Sequence, residues 1–223
     1  MCGRFTLSKT VEALAQAFGV PQVIEIEPQY NIAPTQSVTA VLYNQKSKER
    51  EFKQLHWGLI PSWAKEPSIS AKLINARAET VAEKPAFRSA FVHRRCLILA
   101  DGFYEWKKES RKKQPFYFCL KDQQPFAFAG LWEQWESFEG EQIASCTILT
   151  TQANDLVKEI HERMPVILEQ HNYNLWLDQQ VQAPQTLQPL LHSYPVSLMI
   201  GYPVSTMVNN PKYNNPECIA QIS

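Results

Sequence analysis

Apolar residues recur at Val11, Leu14, Ala15 and Phe18, the i, i+3, i+4, i+7 spacing that puts one stripe on an α-helix. Ser8 is a candidate N-cap ahead of this helix, and Gly19 followed by Pro21 supplies the stop. The pattern then changes. Pro21, Pro28, Pro34, Pro61, Pro67 and Pro85 punctuate an irregular stretch, and short β-type runs lie between them. VTAVLY at 38–43 and EFKQLHWGL at 51–59 predict a hairpin across NQKSKER. Three strongly apolar strands follow: CLILADGFYEW at 96–106, QPFYFCL at 114–120 and PFAFAGLWEQW at 125–135. SCTILTT at 145–151 is another. Asn154 is placed to cap a short helix, DLVKEIH, that Pro165 ends. PVILE at 165–169 predicts a strand, HNYNLWLD at 171–178 a helix, and VSLMIGYPVS at 196–205 a late strand. No repeat, low-complexity stretch or linker-like boundary interrupts this order. The pattern predicts an α+β fold with residues 1–223 as a single domain, built on a central, largely antiparallel β-sheet with short flanking helices.

Composition narrows the function classes. In 223 residues, 22 basic and 22 acidic side chains cancel to zero net charge. That argues against a polybasic binder working by long-range attraction to phosphate, while leaving room for a local basic groove. Hydrophobic residues make up 44% and charged residues 20%, a globular composition. Fifteen prolines against seven glycines favour stiff connections. No apolar run approaches the ~18 residues of a membrane-spanning helix. The opening MCGRFTLSKT has neither a secretory apolar region nor a transit-peptide pattern, so a cytoplasmic protein is expected. The five cysteines, at 2, 96, 119, 146 and 218, are odd in number and form no CxxC pair. Neither a disulfide framework nor a metal site is expected. Cys96, Cys119 and Cys146 lie in apolar runs and read as buried structural thiols. The basic cluster KKESRKK at 107–113 reads as a solvated hairpin tip, with phosphate contact as the alternative.

Cys2 is different, because no apolar run surrounds it in the sequence. Removal of Met1 would leave Cys2 with a free α-amine and a thiol on adjacent carbons. An α-amine titrates near 7.8 and a lysine near 10.4, so at pH 7 about 15% of the first but only about 0.04% of the second is unprotonated. Such an amine can capture an aldehyde as a Schiff base, and the thiol can then close a five-membered thiazolidine. An N-terminal cysteine can equally serve as a thiol nucleophile with its own amine as base. An incidental second residue is the third reading.

Six segments bear on that choice: MCGRF at 1–5, YNIAPTQ at 30–36, WGLIPSWAK at 57–65, INARAET at 74–80, ADGFYEW at 100–106 and IHERMPVIL at 160–168. Together, and in this order, they resemble the SOS response-associated peptidase (SRAP) family, also called abasic-site processing proteins. The resemblance implies one SRAP-like domain with a barrel-like sheet. It also implies capture of abasic sites in single-stranded DNA as a stable thiazolidine crosslink, shielding the strand from cleavage, and self-removal of the residue before the cysteine. Cys2 would be the nucleophile through amine and thiol. Asn75 would hydrogen-bond the opened sugar's oxygen, since a neutral amide donates and accepts. Glu105 and His161 would move protons during ring opening and imine formation. Read without the family, Asn75 is equally a turn residue, Glu105 a strand-end carboxylate and His161 a structural histidine. Which of Glu105 and His161 serves which step stays open. If thiol capture fails, the same site should behave as a lyase.

The DNA-facing set implied by the family is Arg4, Asn31, Arg77 and Arg163, with Pro34 and Trp63 as apolar and aromatic contacts. Arginine holds phosphate with a bidentate fork, and exposed aromatics stack on bases. Ala64 stands where many family members carry a second aromatic. Trp57, Trp106, Trp132 and Trp135 lie in or beside apolar runs and read as core. The partner is therefore single-stranded DNA containing an abasic site, held covalently, with nucleoid association when bound. No cofactor, metal or membrane is called for, and a monomer is the default. Rival readings are an N-terminal-nucleophile amidohydrolase, as in class II glutamine amidotransferases, a cysteine-type protease using Cys2, and a non-enzymatic single-strand binder. The downstream segments GFYEW and HERMP have no place in the amidotransferases.

Overall fold

The computed structural model describes residues 2–22, 24–109 and 112–222, without the side chains of 108, 109 and 112. The tip of the 107–113 basic cluster therefore lies outside the described residues.

The chain opens with a short strand, β1 (Phe5–Leu7), and the predicted helix, α1 (Val11–Phe18). The helix is capped by Thr10, whose hydroxyl accepts from the Ala13 amide, and not by Ser8. Ser8 is engaged elsewhere: its amide and hydroxyl both donate to the Asp101 carboxylate, at 2.5 and 2.7 Å. Gly19 closes the helix at φ +62°, a left-handed conformation suited to glycine. Next come β2 (Gln29–Ile32) and the predicted hairpin, β3 (Ser37–Asn44) with β4 (Glu49–Trp57). A 3-10 turn (Pro67–Lys72) leads to β5 (Asn75–Arg77), and α2 (Arg88–His93) precedes β6 (Arg95–Ala100).

The apolar run 96–106 is not one strand. It breaks at Asp101, after which β7 (Gly102–Glu109) enters a different sheet. The break has a chemical cause. The buried Asp101 carboxylate accepts from the hydroxyl of Thr6 as well as from Ser8, and its amide donates to Thr6 O at 2.9 Å. These bonds commit residue 101 to β1 and turn the chain. Then follow β8 (Lys112–Leu120), β9 (Phe126–Glu136) and β10 (Gln142–Gln152). Asn154 caps α3 (Asp155–Lys158), accepting from the Val157 amide at 3.1 Å. The predicted strand at 165–169 is two short pieces, β11 (Arg163–Pro165) and β12 (Ile167–Leu168), which pair with different strands. The predicted helix at 171–178 is α4 (Tyr173–Leu177), preceded by a 3-10 turn. After α5 (Pro184–Leu187), the late strand is β13 (Met199–Pro203), shortened because Val196–Leu198 form a 3-10 turn.

Two sheets result. In the larger, β10, β4, β3, β6 and β9 pair in sequence, and β9 pairs back to β10, closing a five-strand ring. All these pairings are antiparallel except β4 with β10. The second sheet is antiparallel in the order β13-β8-β7-β1-β2. β1 is thus an inner strand, flanked by β7 and β2. Its Phe5 points into the core and meets Trp57 edge-on at 5.0 Å and Phe128 at 5.6 Å, joining the second sheet to the barrel. Burying a phenylalanine contributes about 1.5–3 kcal/mol. That anchor lies three residues from Cys2. Gly102 is where the crossing strand passes closest to a neighbour: a Cβ there would lie 2.0 Å from the Tyr117 hydroxyl. Cys96, Cys119 and Cys146 are buried thiols. Trp57 and Trp135 are buried, whereas Trp106 and Trp132 are only half-buried.

Candidate functional site

Cys2 precedes β1 and is fully buried, despite its polar sequence surroundings. Its carbonyl accepts a 2.8 Å hydrogen bond from Asn75 Nδ2. Asn75 opens β5, which pairs in parallel with β10 through Ile148, Leu149 and Thr150, so a core strand sets its position. The other end of that amide, Asn75 Oδ1, is buried with no protein partner, leaving an acceptor beside Cys2.

β7 brings Glu105 to the same place. The Tyr104 amide donates to Arg4 O at 2.9 Å, so β7 runs alongside the residues leading into β1. Glu105 is 3% exposed, and burial pushes its ionisation up to about 7, because a carboxylate loses hydration there. The Cys2 thiol is held well above the usual thiol range, first by burial and then by the neighbouring Glu105 charge. Three groups thus converge: a thiol kept protonated, a carboxyl poised to exchange protons near neutrality, and an amide fixing the intervening backbone.

His161 follows α3, its amide donating to Val157 O at 2.9 Å. Its Nδ1 lies 3.0 Å from the Arg163 amide nitrogen and 3.1 Å from the Arg163 carbonyl oxygen, so it accepts from the first or donates to the second according to the ring's tautomer. β11 pairs with β10 through Gln152, and β5 pairs with β10 through Thr150. The 161–163 segment and the 75–77 segment therefore flank the same end of β10.

The remaining predicted residues fall into three groups. Arg4 and Asn31 meet: Arg4 Nη1 donates to Asn31 Oδ1 and to Val208 O, both at 2.6 Å. Asn31 Nδ2 in turn reaches the carbonyls of Val208, Asn210 and Tyr213 at 3.3, 3.1 and 2.7 Å. Arg4 also lies over the Trp106 ring, 5.8 Å from its centre. This pair clamps the 208–213 segment. Arg77 and Arg163 form the second group. Arg163 is bound by Glu79 and Thr150, while Arg77 is exposed on β5. Pro34 and Trp63 form the third. Pro34 is half-buried beside Thr35, a β-branched residue at φ +72°, a strained value for that side chain. Trp63 is 61% exposed, and its loop is pinned by the Trp135 indole donating to Ala64 O at 2.7 Å.

Sequence reasoning overlooked Glu79 and the carbonyls of 208–213. Glu79 is two residues from Arg77 on the same segment, a spacing that offered a signal. The carbonyls offered none, because backbone acceptors carry no side-chain signature. A cavity of about 470 Å³ lined by Gln16, Asp122, Phe126, Tyr173 and Tyr194 contains none of the residues around Cys2. Among the described residues no group of His, Cys, Asp and Glu could hold a metal ion, and no helix is long and apolar enough to cross a membrane.

The fold is of the α+β class, with a barrel-like sheet, a second antiparallel sheet and a buried cysteine just before the second sheet's inner strand β1. The chain belongs to the SOS response associated peptidase (SRAP) family, whose model matches residues 1–211. It is 47% identical over 223 residues to the Bacillus subtilis protein named abasic site processing protein YoqW, covering 98% of this chain and 99% of that one. It is 34% identical to abasic site processing protein YedK of Escherichia coli, covering 81% of each. A crystal structure of a Bacteroides thetaiotaomicron protein superposes with a TM-score of 0.90 at 26% identity, covering all of both chains.

Proposed function

We propose that this protein processes abasic sites in single-stranded DNA by covalent capture on Cys2, with residues 1–223 acting as one unit. The observation carrying the reading is the convergence of Cys2, Asn75 and Glu105. The names of the relatives supply the substrate class.

The reaction begins with hydrolysis of the Met1–Cys2 bond, which frees the α-amine. An abasic deoxyribose is mostly a closed hemiacetal and must open to show its aldehyde. Opening needs a proton delivered to the ring oxygen and one taken from the C1′ hydroxyl. Glu105, ionising near 7, exchanges protons in both directions at neutral pH. His161 is the second proton carrier. The amine attacks C1′, the carbonyl oxygen takes a proton, and water leaves to give the imine. The thiol sulfur then adds to the imine carbon and its proton passes to nitrogen, closing the thiazolidine with net loss of one water. Thiol closure removes the imine that would otherwise promote β-elimination and strand cleavage. Asn75 holds the Cys2 backbone throughout, and its Oδ1 can accept from the opened sugar's hydroxyl. Arg77 and Arg163 supply phosphate contacts and Trp63 a stacking surface.

A denaturing gel tests the reading. Protein with its N-terminus verified by mass spectrometry is mixed with single-stranded DNA bearing one abasic site, beside intact DNA, duplex abasic DNA and the Cys2→Ala variant. A heat-stable shifted band requiring both the lesion and Cys2 is expected. A stable adduct persisting in Cys2→Ala, or no adduct with processed protein, overturns the assignment.

A further inference from the structure

Among the features left over, the Arg163–Glu79 pair has the most specific geometry. Arg163 Nη1 and Nη2 donate to Glu79 Oε1 and Oε2 at 2.6 and 3.0 Å, a two-pronged fork. Two non-ester oxygens of a phosphodiester would meet the same fork in the same way. The pair is asymmetric. The Arg163 side chain is 16% exposed and the Glu79 side chain 45%. Arg163 is also tethered from behind: Nη2 donates to Thr150 O at 2.5 Å and approaches Thr150 Oγ1 at 3.3 Å. The guanidinium therefore keeps its place when the carboxylate leaves. Besides Arg163, the Glu79 carboxylate accepts from its own backbone amide, a local bond that anchors it to no other element. Arg77, in register with Thr150 on β5, adds its charge to that of Arg163 in favouring the ionised carboxylate.

We propose that Glu79 is a built-in stand-in for a DNA phosphate: it occupies the Arg163 fork in the free protein and yields that fork to a backbone phosphate when single-stranded DNA binds. The proposal rests on the DNA-capture reading above and adds a residue that sets how tightly any strand is held. The device has a clear physical logic. Covalent capture makes strong reversible binding to undamaged DNA a disadvantage, since undamaged strand outnumbers lesions. A carboxylate competing for the fork weakens every encounter equally and leaves the covalent step to discriminate.

The test uses the Cys2→Ala protein, so that only reversible binding is read, with and without Glu79→Gln. Binding to a fluorescein-labelled single strand without a lesion is followed by anisotropy between about 50 and 200 mM salt. Glu79→Ala serves as a second variant, and thermal melts confirm that each is folded. Both variants should bind roughly two- to fivefold more tightly at low salt, the scale of a partly exposed ion pair. Their log–log salt slope should steepen by up to ~0.7, one more phosphate neutralised without a displaced carboxylate. If Glu79 instead braces Arg163 for binding, both variants bind more weakly with an equal or shallower slope, and the proposal is overturned while DNA binding stands. If the Cys2→Ala parent itself shows no salt-dependent binding, the DNA reading fails and this proposal with it.

Discussion

Replacing Glu105 by glutamine removes a carboxyl that is 3% exposed on β7. Burial lifts its ionisation from an ordinary 4.5 to about 7. A carboxyl that binds its proton more tightly in the folded chain than in the unfolded one contributes stability that is fully present below 4.5. That contribution fades as pH rises and is lost through pH 7. At ~1.36 kcal/mol per pH unit, the loss amounts to about 3 kcal/mol. Glutamine does not titrate, so the variant escapes it. For a chain of this size 1 kcal/mol corresponds to about 2–4 °C in Tm. The Tm of Glu105→Gln minus that of the parent should therefore grow by roughly 6–12 °C between about pH 4.5 and pH 8. Thermal unfolding by circular dichroism in matched buffers reads this directly, with identical N-termini confirmed by mass spectrometry. Comparing the difference across pH cancels the fixed cost of exchanging one side chain for another. A gap that stays flat over this range would refute the buried, proton-holding carboxyl and remove the neutral-pH acid from the proposed chemistry.

Asn75→Ala deletes the donor to Cys2 O and should slow crosslink formation by roughly ten- to a hundredfold, the cost of a misplaced nucleophile, with reversible DNA affinity unchanged. An unaltered single-turnover rate would remove its positioning role. Gly102→Ala puts a Cβ 2.0 Å from the Tyr117 hydroxyl and should cost about 3 kcal/mol in a urea titration; a loss under ~1 kcal/mol would show that the Tyr117 ring gives way. Trp63→Ala should weaken single-strand binding by ~1–3 kcal/mol with an unchanged Tm, because the ring is 61% exposed. A lowered Tm instead would make Trp63 a packing residue.

Much of the fold is legible in local pattern. Two β-type runs on either side of the polar NQKSKER turn locate the 38–59 hairpin, and the i, i+3, i+4, i+7 stripe locates α1. The break at Asp101 is not legible, because residues 96–106 read as one apolar run. What turns the chain is a set of bonds to Thr6 and Ser8, more than ninety residues earlier. The same bonds explain the misplaced helix cap: Ser8 suits an N-cap by type, but Asp101 claims it first. Around Cys2, residue type alone offers an amine–thiol pair as one of three readings. The raised ionisation of Glu105 is not, since it depends on burial that only the assembled sheet creates. Arg4 and Asn31 show the limit from the other side. They were expected to face DNA, and in the free chain their polar groups hold carbonyls of residues 208–213.

That clamp ties events in time as well as in space. Arg4 bonds Val208 across 204 residues of chain, and Asn31 bonds Tyr213 across 182. During synthesis N-terminal regions emerge first, and domains fold as units once their parts are available. Arg4 is therefore synthesised 204 residues before the carbonyl it bonds, and Asn31 182 residues before its own. A nascent chain carries both polar side chains without these partners. Only when the 208–213 segment has emerged can it dock against them, so β1 and β2 gain this brace late in synthesis.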